Sequence, residues 1–274
     1  MRQIPKPFLK WAGGKSRWVH ELCKFFPKKF ESYHEPFLGS GAVFFHLFKE
    51  GKIKKAFLSD ANCELIDTYI AVRDHVKEVI SLLSDMPYSK ELFYELRQKD
   101  GKKLSLPERA SRFIYLNRTC YNGLYRVNAK GKFNVPFGRY KNPKIFDAEN
   151  LLAVSKALQI AEIKCEDFRK VVKRVKGEDL VYFDPPYYPL SKTSSFTSYY
   201  TGGFSEKDHT DLRDICLELS RMGVFTVVSN SCTDFIVKLY SLFYIREVYV
   251  SRPINCMGDK RGKVKELVIT NFGL

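Results

Sequence analysis

The apolar residues Leu180-Val181-Tyr182-Phe183 run straight into Asp184-Pro185-Pro186-Tyr187. A run this short and apolar throughout reads as a strand buried on both faces. Such strands belong to open α/β sheets covered by helices. The prolines end it, because neither has an N–H to give to a neighbouring strand and both fix φ. A carboxylate is therefore presented at the carboxyl edge, followed by outward-facing carbonyls and an aromatic ring. The Asp184 carboxylate and the Pro185 carbonyl make a pair of acceptors beside the stacking face of Tyr187. That suits a flat ring carrying an exocyclic amino group. The plain alternative is a strand ending in a rigid turn, since Asp and Pro are both turn residues.

The same strand pattern recurs at both ends of the chain. Ser32–Phe37, Ala56–Ser59, Ile160–Cys165 and Val224–Ser229 are short, apolar and soon followed by Gly, Asp, Asn or Pro. Ser205-Glu206-Lys207-Asp208 has the form of a capping box. It opens an amphipathic helix through Leu212, Ile215, Leu217 and Leu219, with Gly223 where that helix should stop. Tyr244–Val250 and Val264–Thr270 read as an antiparallel pair at one sheet edge. From about Asn62 to Ser155 the periodicity is helical instead (Leu65, Tyr69, Val72; Val79, Leu82, Leu83; Phe93, Leu96; Phe113, Leu116), punctuated by Pro87 and Pro107. These patterns predict an α/β, Rossmann-like domain from residues 1–61 and 156–274. Residues 62–155 are predicted to form an inserted, mainly helical module with a β-hairpin near 118–140, its tip at Asn128–Gly131.

The charge is out of balance. Lys and Arg number 46 against 31 Asp and Glu, a formal charge of +15 on 274 residues. A field of that sign favours a polyanion, and nucleic acid is the first candidate. An inert basic surface, an anionic membrane or a ribosomal contact are the alternatives. No apolar run approaches the ~18–20 residues that span a bilayer. The start, Met1-Arg2-Gln3-Ile4-Pro5-Lys6, has no apolar signal core, so a cytoplasmic protein without a membrane partner is expected. The seven cysteines are scattered, odd in number and without Cys-x-x-Cys, which argues against a secreted disulfide framework. The five histidines lie at no zinc-like spacing from them, and no metal is expected.

Three further segments carry chemistry. Lys10-Trp11-Ala12-Gly13-Gly14-Lys15-Ser16 ends like a phosphate-binding loop, but Leu9 stands where that pattern needs glycine. What remains is a basic, flexible loop with an aromatic plate, able to touch an adenosyl-type ligand or nucleic acid. Glu35-Pro36-Phe37-Leu38-Gly39-Ser40-Gly41 joins a strand to an apolar helix, and Asp60 ends the next strand. Glycines there let backbone approach a ligand, and the acid can accept from ribose hydroxyls. Phe44 occupies the third glycine position of a dinucleotide fingerprint, so a nucleoside-bearing cofactor fits better than a nicotinamide dinucleotide. Finally, Asn117–Tyr140 interleaves Arg118, Tyr121, Asn122, Arg126, Asn128, Lys130, Lys132, Asn134 and Arg139 with Leu124, Phe133, Pro136 and Phe137. Such a mixture can grip phosphates, read base edges and wedge between bases. The alternative is a solvated basic loop with an aromatic underside.

In this order Lys-Trp-Ala-Gly-Gly-Lys, Glu-Pro-Phe-x-Gly-x-Gly, the middle region and Asp-Pro-Pro-Tyr resemble the alpha-class N6-adenine DNA methyltransferases, the DNA adenine methylase (Dam) family. The likeness spans nearly the whole chain. It includes Leu116-Asn117-Arg118, Tyr121-Asn122-Gly123-Leu124, Arg126 and Phe133–Tyr140. It departs from the family at Thr119-Cys120 and Asn255-Cys256-Met257, which bears on phosphate contacts rather than on the reaction. The resemblance implies a methyltransferase sheet, S-adenosylmethionine as donor, S-adenosylhomocysteine as product, and N6 of adenine in duplex GATC as target. It implies Trp11, Lys15, Phe37, Gly39, Asp60 and Asp184 around the cofactor, and Asp184, Pro185 and Tyr187 around the adenine. It implies Lys10 and Arg126 on guanines, Leu124 and Pro136 on the thymine methyl, Tyr121 inserted into the duplex and Asn122 at the opened pair. Arg118, Asn134 and Arg139 complete the DNA-contacting set. A monomer working on DNA at the nucleoid is expected.

On this reading two acceptors draw the amine's hydrogens and turn its lone pair outward, in a base lifted from the stack. Three alternatives stay open: N4-cytosine methylation, adenine methylation of RNA, and a DNA-binding protein with a silent methylase site.

Overall fold

The computed structural model describes residues 3–128, 131–190, 203–251 and 263–273. Its centre is a seven-stranded sheet in the order β3-β2-β1-β4-β5-β7-β6. The strands are β1 Tyr33–Glu35, β2 Ala56–Asp60, β3 Ala161–Cys165, β4 Leu180–Phe183, β5 Phe225–Ser231, β6 Tyr244–Ser251 and β7 Lys263–Thr270. The first five pair in parallel. The last two form an antiparallel pair, and β7 slots between β5 and β6. The sequence patterns are thus recovered strand by strand, with β1 ending early at Glu35 because Pro36 has no N–H to donate. β1 through β3 build outward one way and β4 and β5 the other. The switch point, where open α/β sheets bind ligands, therefore lies between β1 and β4.

The helices are α1 Val19–Leu22, α2 Ala42–Lys49, α3 Cys63–Asp74, α4 Val76–Ser84, α5 Lys90–Gln98, α6 Leu106–Thr119, α7 Ala148–Leu158, α8 Glu206–Arg221 and α9 Asp234–Leu239. Helices α3 to α7 all fall between β2 and β3, and α7 runs past residue 155 to Leu158, directly before β3. Their starts follow from local chemistry. Asn62 caps α3 by accepting from the Leu65 N–H. Ser105 and Glu108 form a capping box on α6, whose first turn holds Pro107. Ser205 and Asp208 do the same for α8, and Gly223 past its end takes φ +75°.

Apolar side chains alternate between the two faces of each strand. Leu180, Tyr182 and Val227 join the core beneath α2, α3 and the inserted helices. Val181, Phe183 and Val228 join Leu212, Ile215 and Leu219 of α8. Each such buried Leu, Val or Phe contributes about 1.5–3 kcal/mol, so both sheet faces are anchored and the carboxyl edge between them is held rigidly.

One tether was invisible in the sequence. Cys63 at the start of α3 and Cys165 at the end of β3 form a disulfide, with Cα atoms 5.0 Å apart across 102 residues of chain. Asp60 and Cys165 are register partners on β2 and β3, which is what brings the two sulfurs together. The bridge closes the root of the whole inserted segment. Lys130 and Asn255-Cys256-Met257, singled out above, lie outside the described residues.

Candidate active site and DNA-facing surface

The two motif loops meet at the switch point. The loop after β1 turns back on Asp60: the Leu38 N–H donates to the Ser59 carbonyl at 3.0 Å, and the Gly39 N–H to Asp60 Oδ2 at 3.1 Å. Asp60 Oδ1 accepts from the Asn62 N–H at 2.9 Å. The Tyr69 hydroxyl secures the loop by donating to the Gly39 carbonyl at 3.0 Å. Gly39 has φ +48°, and a Cβ there would stand 2.8 Å from Trp11 Cδ1. Glycine is needed because the indole lies against the backbone. Trp11 in turn stacks on Tyr125 and Phe113, with ring centres 5.6 and 6.4 Å away. Phe37 packs on the α8 side of the sheet, stacked on Phe168 at 5.2 Å and edge-on to Phe183 at 6.4 Å.

Asp184 leaves β4 as expected, with its side chain 19% exposed. Lys15, only 5% exposed, places its ammonium 2.6 Å from Asp184 Oδ2. That ammonium also donates to the Gly13 carbonyl at 2.9 Å and sits 5.0 Å from the Tyr187 ring centre. The other oxygen, Asp184 Oδ1, is buried and has no hydrogen-bond partner among the described residues. The Pro185 carbonyl accepts no hydrogen bond among the described residues. Unmet buried acceptors are rare and costly in proteins, by about 1–3 kcal/mol each. Burial raises the Asp184 carboxyl above the usual carboxylate range, against the pull of Lys15, and the Glu266 charge adds to the rise.

Two acids escaped the sequence reading. Glu35, at the end of β1, is pushed up to about 8, by burial first, with the nearby Asp184 charge acting the same way. The Tyr33 hydroxyl donates to its Oε2 at 2.9 Å. Glu266 on β7 accepts from the Tyr187 hydroxyl at 2.8 Å. Glu35 stood in plain view in the Glu-Pro-Phe motif. Glu266 had no sequence signal, because only the antiparallel pairing of β7 brings it to the site.

The third segment forms a ribbon beside this pocket. Bridges Cys120↔Phe137 and Val127↔Phe133 hold it, and the Asn134 N–H donates to the Arg126 carbonyl at 3.0 Å. Tyr121 is 54% and Leu124 38% exposed, and Pro136, Asn122, Arg126 and Arg139 are exposed as well. Asn122 takes the left-handed φ of 54°, which asparagine tolerates. Arg126 Nε donates to Asn134 Oδ1 at 2.7 Å, so the guanidinium is braced across the ribbon. A cleft of about 470 Å³ lies between Tyr121, Asn122, Pro136, Arg139 and Tyr140. Lys10 joins this surface from the amino-terminal loop. Asn117 clamps its backbone with bonds of 2.8 and 2.7 Å, and its ammonium lies 4.2 Å from the Tyr140 ring centre. Arg118 differs from the rest: it is half-buried and Nη2 donates to the Lys144 carbonyl at 2.9 Å. Tyr125 couples ribbon to pocket, stacking on Trp11 while its hydroxyl donates to Glu64 on α3 at 3.0 Å.

The model of the D12 class N6 adenine-specific DNA methyltransferase family matches residues 11–254. The chain belongs to that family. This methyltransferase is 45% identical over 286 residues to the type II methyltransferase M.MjaIII of Methanocaldococcus jannaschii, across 97% of this chain and 99% of that one. It is 43% identical over 276 residues to the type II methyltransferase M1.LlaDCHI of Lactococcus lactis subsp. cremoris (98% and 96%). It is 36% identical over 267 residues to the DNA adenine methylase of Escherichia coli K12 (96% and 94%). Its sheet is accordingly a methyltransferase fold, and the enzyme is an adenine-specific DNA methyltransferase. Among the described residues no helix is long and apolar enough to cross a membrane, and no three His, Cys, Asp or Glu gather as metal ligands.

Proposed function

We propose that this methyltransferase moves a methyl group from S-adenosylmethionine to N6 of adenine in duplex GATC, acting as a monomer on a base flipped out of the helix. The observation that carries this reading is the buried Asp184 Oδ1, followed in the chain by the Pro185 carbonyl, neither of which has a hydrogen-bond partner among the described residues. Adenine N6 has two hydrogens, and these are two acceptors.

The residues of the switch point fit the cofactor. Gly39 leaves backbone bare against the Trp11 plate. Asp60, which accepts from the Gly39 and Asn62 N–H groups, ends β2 beside the same loop, and an acid so placed can accept from ribose hydroxyls. When bound there, the sulfonium supplies an electrophilic methyl group. The chain supplies the rest. Asp184 and the Pro185 carbonyl accept hydrogen bonds from the amine's two hydrogens and stabilise the positive charge that develops on nitrogen as the new N–C bond forms. The methylated amine then gives up one proton to solvent. Tyr187 offers a stacking face, and Lys15 favours the charged form of Asp184 by pairing with Oδ2. Opening the base pair costs a few kcal/mol. The exposed Tyr121 ring, beside Asn122, is suited to fill the gap. Residues 62–155 serve as the recognition module, in which the braced Arg126 suits a guanine edge. Lys10, Arg118, Asn134 and Arg139 add contacts, and Leu124 and Pro136 suit a thymine methyl. Placement in the cytoplasm with the nucleoid follows from that substrate.

Sequencing modified bases in DNA from cells expressing the protein tests this directly. N6-methyladenine confined to GATC is expected. Methylated cytosine, or methyladenine in another sequence, overturns the corresponding part.

A further inference from the structure

The loop Asp184–Leu190 has no regular structure, yet two of its residues are fastened to neighbouring strands. The Tyr188 N–H donates to Asn230 Oδ1 at 3.1 Å, and Ser231 Oγ donates to the Tyr188 carbonyl at 2.6 Å, both from β5. The residue before it is held from β7: the Tyr187 hydroxyl donates to Glu266 Oε2 at 2.8 Å. Glu266 pairs with Ser231 across β5–β7 and with Val248 across β6–β7, so its backbone is fixed on both sides. Only 4% of Glu266 is exposed. A carboxylate receiving a phenolic hydrogen makes a charge-assisted hydrogen bond, shorter and stronger than a neutral one. It also polarises the phenol, adding electron density to the ring. Lys15 already exploits that density from 5.0 Å.

We propose that Glu266 is a positioning residue for the target base, acting through Tyr187. It has two effects. The hydrogen bond fixes the rotation of the Tyr187 ring, so the base stacks with its amine toward Asp184. The negative charge makes the ring a better platform for a base whose amine is becoming cationic. The antiparallel strand β7, outside the parallel part of the sheet, thereby reaches the chemistry. This inference rests on the methyl-transfer reading above.

The test is a mutant cycle on the full chain, read in single turnover on a duplex carrying one GATC site. Glu266→Gln keeps an acceptor oxygen and removes the charge, so kcat should fall about three- to tenfold with KM for DNA unchanged. Glu266→Ala removes both and should fall further. Tyr187→Phe should match Glu266→Ala, and the double variant should be no slower than either. Ultraviolet resonance Raman of the protein alone supplies a second readout. The Tyr187 hydroxyl should show a strong-donor signature that Glu266→Ala abolishes. Fully additive losses, or wild-type kcat in Glu266→Ala, overturn the proposal. So does a Raman spectrum unchanged by that substitution. A parent enzyme that methylates no adenine while keeping the Raman signature refutes the reaction assigned above and leaves the Tyr187–Glu266 contact standing.

Discussion

Replacing Asp184 by Asn probes the centre of the mechanism, because Lys15 dictates which way the amide must lie. The Lys15 ammonium donates to Asp184 Oδ2 at 2.6 Å and has nothing to accept with. An asparagine must therefore turn its oxygen toward Lys15. Its NH2 group then occupies the buried position of Oδ1, which has no partner among the described residues. An acceptor aimed at the target amine becomes a donor aimed at a donor. Losing one well-placed electrostatic contact costs ~2.7–4 kcal/mol, or about 10²–10³ in turnover. The reversed polarity adds to that, so kcat should fall by at least about 10³-fold. DNA and cofactor affinity should stay near the parent's, since the side chain keeps its size. Single-turnover transfer of a labelled methyl group onto a one-site duplex measures the fall, with binding followed separately. Adding Lys15→Met frees the amide to flip, so the double variant should be no slower than Asp184→Asn alone. A loss smaller than about tenfold, under ~1.4 kcal/mol, would refute the role of Oδ1.

Other expectations can be checked alongside. Glu35 holds its proton in the folded protein up to about pH 8, whereas an unfolded glutamate releases it near 4.3. The folded state binds the extra proton in that window, so this group makes stability fall as pH rises across it and level off above. Urea midpoints of Glu35→Gln should therefore hold up better than the parent's at pH 8–9; parallel pH curves would contradict the assignment. Arg126→Ala should relax selectivity at one base pair by about 1–3 kcal/mol, read from methylation of single-base variants of the site. Reduction of Cys63–Cys165 opens a loop spanning 102 residues. By chain entropy alone this should cost up to ~4.7 kcal/mol. Equal urea midpoints for oxidised and reduced protein would remove that bridge from the stability of the fold.

The architecture was legible because its signals are local. Strand lengths, the proline stops, the Ser205–Asp208 capping box and the helical spacing of Leu65, Tyr69 and Val72 each depend on a few neighbouring residues. Asp184 at a strand's carboxyl edge is likewise decided by what directly precedes it. Other features depend on contacts between segments far apart in the chain. The Lys15–Asp184 pair joins residues 169 apart, and the Tyr187–Glu266 bond joins residues 79 apart. Nothing in Cys63 or Cys165 announces a partner.

The linear chain by itself determined which segments become strands and helices, and that an acid, two prolines and an aromatic ring stand together at one strand end. Tertiary structure alone decided the electrostatics of that end. It chose which oxygen of Asp184 pairs with Lys15, buried Glu35 deeply enough to keep its proton, and brought β7 alongside to hold Tyr187. The reason is physical: backbone propensities act over a handful of residues, whereas desolvation and charge coupling depend on whatever the folded chain packs within a few ångströms.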